Sequence, residues 1–379
     1  MTALADIIAR RIRREGPISL ADYMSLALLH PEHGYYSRRD PLGRSGDFIT
    51  APEVSQMFGE LIGLWCADYW LRSGSPAAFS LVELGPGRGT LMADALRAAA
   101  GVPGFLDAKR LCLVEASPTL KAAQRETLGP HRPRWLTSLS ELAKGPIILI
   151  ANEFFDALPL RQFTRRDGHW HENLVGLGPN DRSFRIMVDR APAQHTPLLN
   201  RLYPSPDEND VAELPGMALS LVSEIAQRLS QPATEPEAPH GGAALIMDYG
   251  YYPSQPQATL QAVKSHERHD PLTAPGEADL TVHVNFEALL AAAAEAGADT
   301  WAPVGQGAFL EALGLETRVA TLSAKAGPAQ RRDIEAAKHR LTDPDQMGVL
   351  FKAAALSCPG FPQPAGFAEK TTEHHAGSD

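Results

Sequence analysis

The run Glu83-Leu84-Gly85-Pro86-Gly87-Arg88-Gly89-Thr90 sets glycine at every second position, directly after the apolar stretch Phe79-Ser80-Leu81-Val82. A glycine turn between a buried strand and a helix lets the backbone approach a nucleotide where a side chain would block it. The next apolar run, Leu111-Cys112-Leu113-Val114, ends in Glu115, and a carboxylate at that point can accept both ribose hydroxyls of an adenosine. A dinucleotide fingerprint would want its third glycine where Thr90 stands. Pyrophosphate binding would also use the helix N-terminus as an anion site. Glu83 sits ahead of the glycines instead, where an acid suits the methionine ammonium of S-adenosylmethionine, a nucleoside with no phosphate. Spacing and early acid both favour S-adenosylmethionine over NAD. The bland alternative is a tight turn with no ligand.

A second constellation follows another apolar strand, in Asn152-Glu153-Phe154-Phe155-Asp156-Ala157-Leu158-Pro159. In a parallel sheet this strand end faces the crevice where the reacting group of the cofactor would lie. Methyl transfer from a sulfonium is an in-line displacement, so the enzyme mainly aligns and desolvates the acceptor. A guanidinium acceptor has a delocalised lone pair and a pKa of about 12 or above. Carboxylates paired to its other nitrogens localise the charge and fix its direction. Glu153 and Asp156 are of the right type, with Asn152 beside them. Asn152 or Asp156 capping a helix is the structural alternative. Phe154 and Phe155 read equally well as core and as a stacking surface. His266, His269 and His283 lie further on, and one of them could take a proton from the methylated nitrogen.

Elements must place these groups. Alternating strands and helices predict an α/β fold: a Rossmann-like seven-stranded core, mostly parallel and covered on both faces. The strands are expected at 79–84, 111–115, 134–136, 147–151, 243–247, 299–304 and 348–356. Helices are expected at about 89–100, from Ser117-Pro118, and over Phe286–Ala296 between an Asn285 cap and Gly297. Residues 1–78 read as an N-terminal helical cap, and 79–357 as the core. Two stretches, 157–242 and 250–285, are too long for plain connections and read as substrate-facing insertions. The first should hold hairpin strands near 161–164 and 169–177. The Gly- and aromatic-rich loop from His33 to Ser55 reads as a flap over the cofactor, which assigns Thr50 and Ser55 to the cofactor site. The tail 358–379 has no periodicity and is expected to be disordered.

A formal net charge of -10 argues against nucleic acid as main partner. Cys66, Cys112 and Cys358 form no metal-ligand spacing and are expected as free thiols, so no metal is expected. No apolar run is long enough for a transmembrane helix. The N-terminus is arginine-rich and helical like a mitochondrial presequence, but Asp6 and Glu15 count against that, and a cytoplasmic protein is expected.

Several stretches together resemble the MidA family of S-adenosylmethionine-dependent methyltransferases. They are Gly46-Asp47-Phe48-Ile49-Thr50-Ala51-Pro52-Glu53-Val54-Ser55 with Phe58-Gly59-Glu60, the glycine run from Glu83 to Leu91, and Asn152 to Pro159. Asp248-Tyr249-Gly250, Pro275-Gly276 and Asp279-Leu280-Thr281 complete the set, and all but the tail is covered. The family includes a mitochondrial protein-arginine methyltransferase that acts as an assembly factor for respiratory complex I. The resemblance implies a class I methyltransferase core, S-adenosyl-L-methionine as cofactor, and a protein substrate methylated on arginine to symmetric dimethylarginine, on a complex I subunit. It also implies that Asp279-Leu280-Thr281 closes over the site. Two other functions stay open: a small-molecule methyltransferase, and a non-catalytic assembly protein on the same fold. An intact glycine turn with Glu115 argues against the second.

Overall fold

Ile147-Ile148-Leu149-Ile150-Ala151 has no polar residue to turn toward water, and it lies at the centre of a sheet with helices on both faces. The computed structural model describes residues 2–38, 50–179, 183–231, 241–264 and 266–368. Its core strands are β1 (Phe79–Leu84), β2 (Lys109–Val114), β3 (Arg134–Leu136), β4 (Ile147–Asn152), β5 (Gly242–Tyr251), β6 (Asp299–Gly305) and β7 (Phe351–Ser357). They lie in the order β6-β7-β5-β4-β1-β2-β3. The five from β5 to β3 run parallel, while β7 is antiparallel to both of its neighbours. Strand order reverses between β1 and β4, which opens a crevice above their carboxyl ends.

Successive residues of β4 point to opposite faces. Ile148 and Ile150 join one apolar cluster, while Ile147, Leu149 and Ala151 join the other. The N-terminal helices divide between two bodies. The first, α1 (Ala3–Glu15), is capped by Thr2 and stopped at Gly16, which takes a left-handed φ of 87°. It buries Leu4, Ile8 and Ile12 with Met24 and Leu28 of α2 (Leu20–Leu29), against Leu160, Val175, Ala262 and Leu280 of the two insertions. Cap and insertions therefore share one apolar cluster.

The next helix, α3 (Gln56–Arg72), departs from the expected cap and belongs to the core. It lies against α4 (Thr90–Ala99) so closely that a Cβ on Gly63 would come within 2.2 Å of the Ala95 carbonyl oxygen. A cap boundary at 78 is thus too late by one helix. Helix α5 (Pro118–Leu128), with Ser117 as N-cap, lies between β2 and β3. The first insertion also ends earlier than 242. Helix α6 (Gly216–Ser230) packs Ala218, Val222, Ile225 and Leu229 on the sheet with α7 (Phe286–Glu295). Parallel β4 and β5 need a crossover helix, and α6 is that helix. The rest of the insertion holds a short helix, Thr196–Leu202, and four strands, among them Arg161–Arg166 and His169–Leu177, in a sheet whose fifth strand is the cap's Ile18–Ser19.

Helices α8 (Gln306–Ala312), α9 (Leu315–Ala324) and α10 (Pro328–Thr342) connect β6 to β7. The tail is ordered further than expected. Trp65 Nε1 donates to the Ala365 carbonyl at 3.1 Å, and Phe367 packs on Phe309 at 5.3 Å between ring centroids. The apolar residues Ala365 and Phe367 give this segment something to bury; residues 369–379 lie outside the described structure. All three cysteines are buried free thiols.

Candidate active site

Gly85, Gly87 and Gly89 all adopt left-handed φ, at 60°, 55° and 84°. The turn needs glycine for a second reason at Gly85, where a Cβ would stand 2.7 Å from the Phe154 ring. Gly85 N–H bonds the Val114 carbonyl at 3.0 Å, which pins the turn of β1 to the end of β2. Glu115 follows directly, nearly buried, accepting from Ser117 N at 2.8 Å and from Gln124 Nε2 at 3.1 Å. Burial raises its pKa and these bonds lower it, with a net rise.

Gln124 had no signal in the sequence beyond its place on α5. The same amide nitrogen donates to the Gly87 carbonyl at 2.7 Å, while its oxygen accepts from Trp135 Nε1 at 2.8 Å. One side chain thus ties the glycine turn, Glu115 and β3 together.

Glu83 is buried at the end of β1 with Oε2 lacking a hydrogen-bond partner. Burial, and then the charge of Glu115, push its carboxyl up to about 8. An orphaned buried carboxylate beside a glycine cradle fits a nucleoside carrying an ammonium group, and Glu115 fits its ribose. Thr90 is turned elsewhere: its hydroxyl donates to Glu53 at 2.7 Å, fixing the short helix Ala51–Val54 over the start of α4. Ser55 accepts from Met57 N at 3.2 Å as the N-cap of α3, so its hydroxyl serves the helix start rather than the cradle. Thr50 occupies the N-cap position of Ala51–Val54 without a capping bond. Of the loop expected as a flap, residues 39–49 lie outside the described structure.

The turn after β4 is held in an uncommon way. Glu153 has a left-handed φ of 47°. Asp248, inside the carboxyl-terminal half of β5 and 0% exposed, accepts through one oxygen the backbone N–H groups of Phe154, Phe155 and Asp156, at 3.1, 2.9 and 3.2 Å. Its other oxygen accepts from Tyr249 N at 3.0 Å. Burial, Asp156 and Glu153 push its carboxyl up against these donors. No helix follows β4, so neither Asn152 nor Asp156 is a helix cap. Asn152 donates to Glu153 Oε1 at 3.3 Å and supports that acid.

Both acids stay poised. Glu153 Oε1 accepts from Ala51 N at 2.8 Å, and burial raises its carboxyl to about 7. Asp156 is buried with Oδ1 unpartnered, and burial raises it to about 6. Phe155 enters the core and Phe154 covers Gly85, so the aromatic pair divides between the two roles expected of it. Tyr36 of the cap donates to Asp279 at 2.9 Å. Of the three histidines, only His283 reaches this region, edge-on to Tyr249 at 5.4 Å; His266 is exposed and His269 bonds the Thr273 carbonyl.

A family model described as S-adenosyl-L-methionine-dependent methyltransferase matches residues 61–304. The protein arginine methyltransferase NDUFAF7 homolog, mitochondrial, of Drosophila melanogaster is 38% identical over 93% of this chain and 84% of its own length. The Homo sapiens protein arginine methyltransferase NDUFAF7, mitochondrial, is 34% identical over 91% of this chain and 81% of its own. A crystal structure of a likely methyl transferase of the COG1565 superfamily from Burkholderia thailandensis, bound to S-adenosyl-homocysteine, superposes with a TM-score of 0.81. It is 29% identical and covers 96% of this chain and 94% of that one.

Proposed function

The chain belongs to the S-adenosyl-L-methionine-dependent methyltransferase family, and from that premise we propose that it methylates a protein on arginine, giving symmetric dimethylarginine. One observation carries the choice of acceptor: two acids with raised carboxyls, Glu153 and Asp156, stand on a single turn at the crevice, and one has an unpaired oxygen. A planar cation with several N–H donors satisfies such a pair, and a neutral acceptor leaves a buried charge uncompensated. The names of the relatives point to the same acceptor.

Glu83 and Glu115 would hold the cofactor's ammonium and ribose, and the glycines from Gly85 to Gly89 would let it lie close against the main chain. When bound, the cofactor supplies an electrophilic methyl on sulfur. Glu153 and Asp156 orient the guanidinium by its N–H edges. The nitrogen that gains the methyl must lose a proton, and a carboxylate raised toward neutrality accepts one more readily than an ordinary one. Asp248 takes no part in contact; it fixes the turn on which both acids stand.

A complex I subunit as substrate belongs to this proposal through the family resemblance. A cytoplasmic location is a separate expectation from Asp6 and Glu15 in the N-terminal helix, set against the mitochondrial names of the relatives, and fractionation of the tagged protein checks it. The main test incubates the purified protein and labelled cofactor with a lysate lacking the enzyme, then sequences the labelled band. Dimethylarginine with one methyl on each terminal nitrogen is expected. Glu153→Gln and Asp156→Asn should each lower turnover at least about tenfold, or ~1.4 kcal/mol in the barrier, with cofactor affinity nearly intact. Label on a small metabolite would remove the arginine reading; wild-type rates in both variants would remove the role of the two carboxylates and leave the enzyme class standing.

A further inference from the structure

Asp248 and Tyr249 are consecutive on β5, so their side chains leave opposite faces of the strand. The acid turns to the amides of the β4 turn. The Tyr249 ring packs edge-on against His283 and, tilted, against Phe351, each at 5.4 Å between centroids. Its hydroxyl neighbours Asp156 and Thr281 yet makes a well-aligned hydrogen bond to neither. Thr281 ends the insertion strand Asp279–Thr281, which pairs with Gln261–Lys264.

Three buried polar atoms therefore gather at one place, in reach of one another but with no well-formed hydrogen bond: Asp156 Oδ1, the Tyr249 hydroxyl and Thr281 Oγ1. Their residues are 6%, 8% and 3% exposed. Unpaired buried polar atoms are rare because each forfeits its hydration without return. Three together from separate segments mark a place made for a polar ligand. An ionised carboxylate only accepts, and two hydroxyls can each accept, so the trio suits a group presenting several N–H donors. The turn and β5 supply two of the three atoms, and the insertion supplies the third.

Resting on the arginine reading, we propose that Tyr249 and Thr281 join Asp156 as the receptor for the guanidinium N–H groups, and so select and seat the acceptor. They are specificity-determining residues. Contacts of this kind form in the bound substrate and persist through the transfer, so their loss weakens substrate binding more than turnover.

The test uses the full chain, a peptide library with one central arginine, and mass spectrometry of the product. Tyr249→Phe keeps the ring packing and Thr281→Val keeps the shape. Each should raise KM for the selected peptide at least about tenfold, with kcat within about threefold of wild type and S-adenosyl-homocysteine affinity unchanged. Thr281→Ser restores a hydroxyl and should return KM to near the wild-type value, which separates binding from folding if Tyr249→Phe is unstable. Wild-type KM in both hydroxyl-deleting variants, with arginine methylated by the wild type, overturns this inference alone. If the wild type leaves every arginine in the library unmodified, the arginine reading falls and takes the receptor with it.

Discussion

The two sides of the crevice are built differently. The side proposed for the cofactor is local: Glu83 through Thr90 and Glu115 through Gln124 come from two consecutive strand–turn–helix units, locked by backbone bonds and one glutamine. The side proposed for the acceptor is assembled from afar. Glu153 and Asp156 stand on the β4 turn, Tyr249 on β5 and Thr281 in the second insertion, while Tyr36 ties the cap to Asp279. The local half holds its shape through neighbours in sequence. The distributed half holds its shape through buried carboxylates reaching across the fold, which makes it the more fragile and the more easily retuned.

The sharpest way to break this contrast is Asp248→Asn. The amide oxygen can take the three N–H groups of Phe154 to Asp156 only as a weaker, neutral acceptor, and its NH2 then faces Tyr249 N–H, which loses its acceptor. A loss of about 2–4 kcal/mol in stability, read by urea melting, and near-complete loss of turnover are expected, while Glu115 and the glycine cradle keep their mutual bonds. Cofactor affinity falling as far as turnover would show the two halves to be one unit. Gly85→Val comes next. It strains a left-handed φ and drives a side chain toward Phe154, so calorimetry should find cofactor binding lost from a folded protein.

The smallest expected effect is in Glu83. Its folded carboxyl at about 8 lies above its ordinary 4.5, so between those values the folded state binds more protons than the unfolded state. The ligand-free protein should therefore lose stability as pH rises from 4.5 to 8, with Glu115 and the buried Cys66 thiol facing the same group. Glu83→Gln should flatten that slope and melt higher than wild type at pH 8, by a few kcal/mol at most, yet bind cofactor less tightly. A variant with the wild-type pH slope would mean that Glu83 titrates normally.

The local half was legible because its evidence is contiguous: apolar strands, glycines at fixed spacing, an acid at a strand end. All seven core strands lie where apolar runs placed them, with β2 beginning and ending slightly before its expected range and β7 slightly after. The distributed half was only partly legible. Glu153 and Asp156 stood out by type and strand end, but the partners of Asp248, Tyr249 and Thr281 arise only from strand register and insertion packing, which no local pattern encodes. The place of α3 in the core likewise comes from packing rather than local pattern, since α4 lies close against Gly59 and Gly63. Ser55 shows the converse: a hydroxyl in a conspicuous motif whose role is to start a helix.

The antiparallel last strand has a consequence for synthesis. Among the described residues β6 pairs with β7 alone, and β7 fills the gap between β6 and β5 along Ala243–Tyr249. Until residues 351–357 emerge, β5 presents a bare apolar edge and β6 has nothing to join. Such an edge is a template for pairing with other chains. The growing polypeptide therefore carries its greatest aggregation hazard throughout translation of the three helices α8 to α10, and the sheet closes only as its final strand leaves the ribosome.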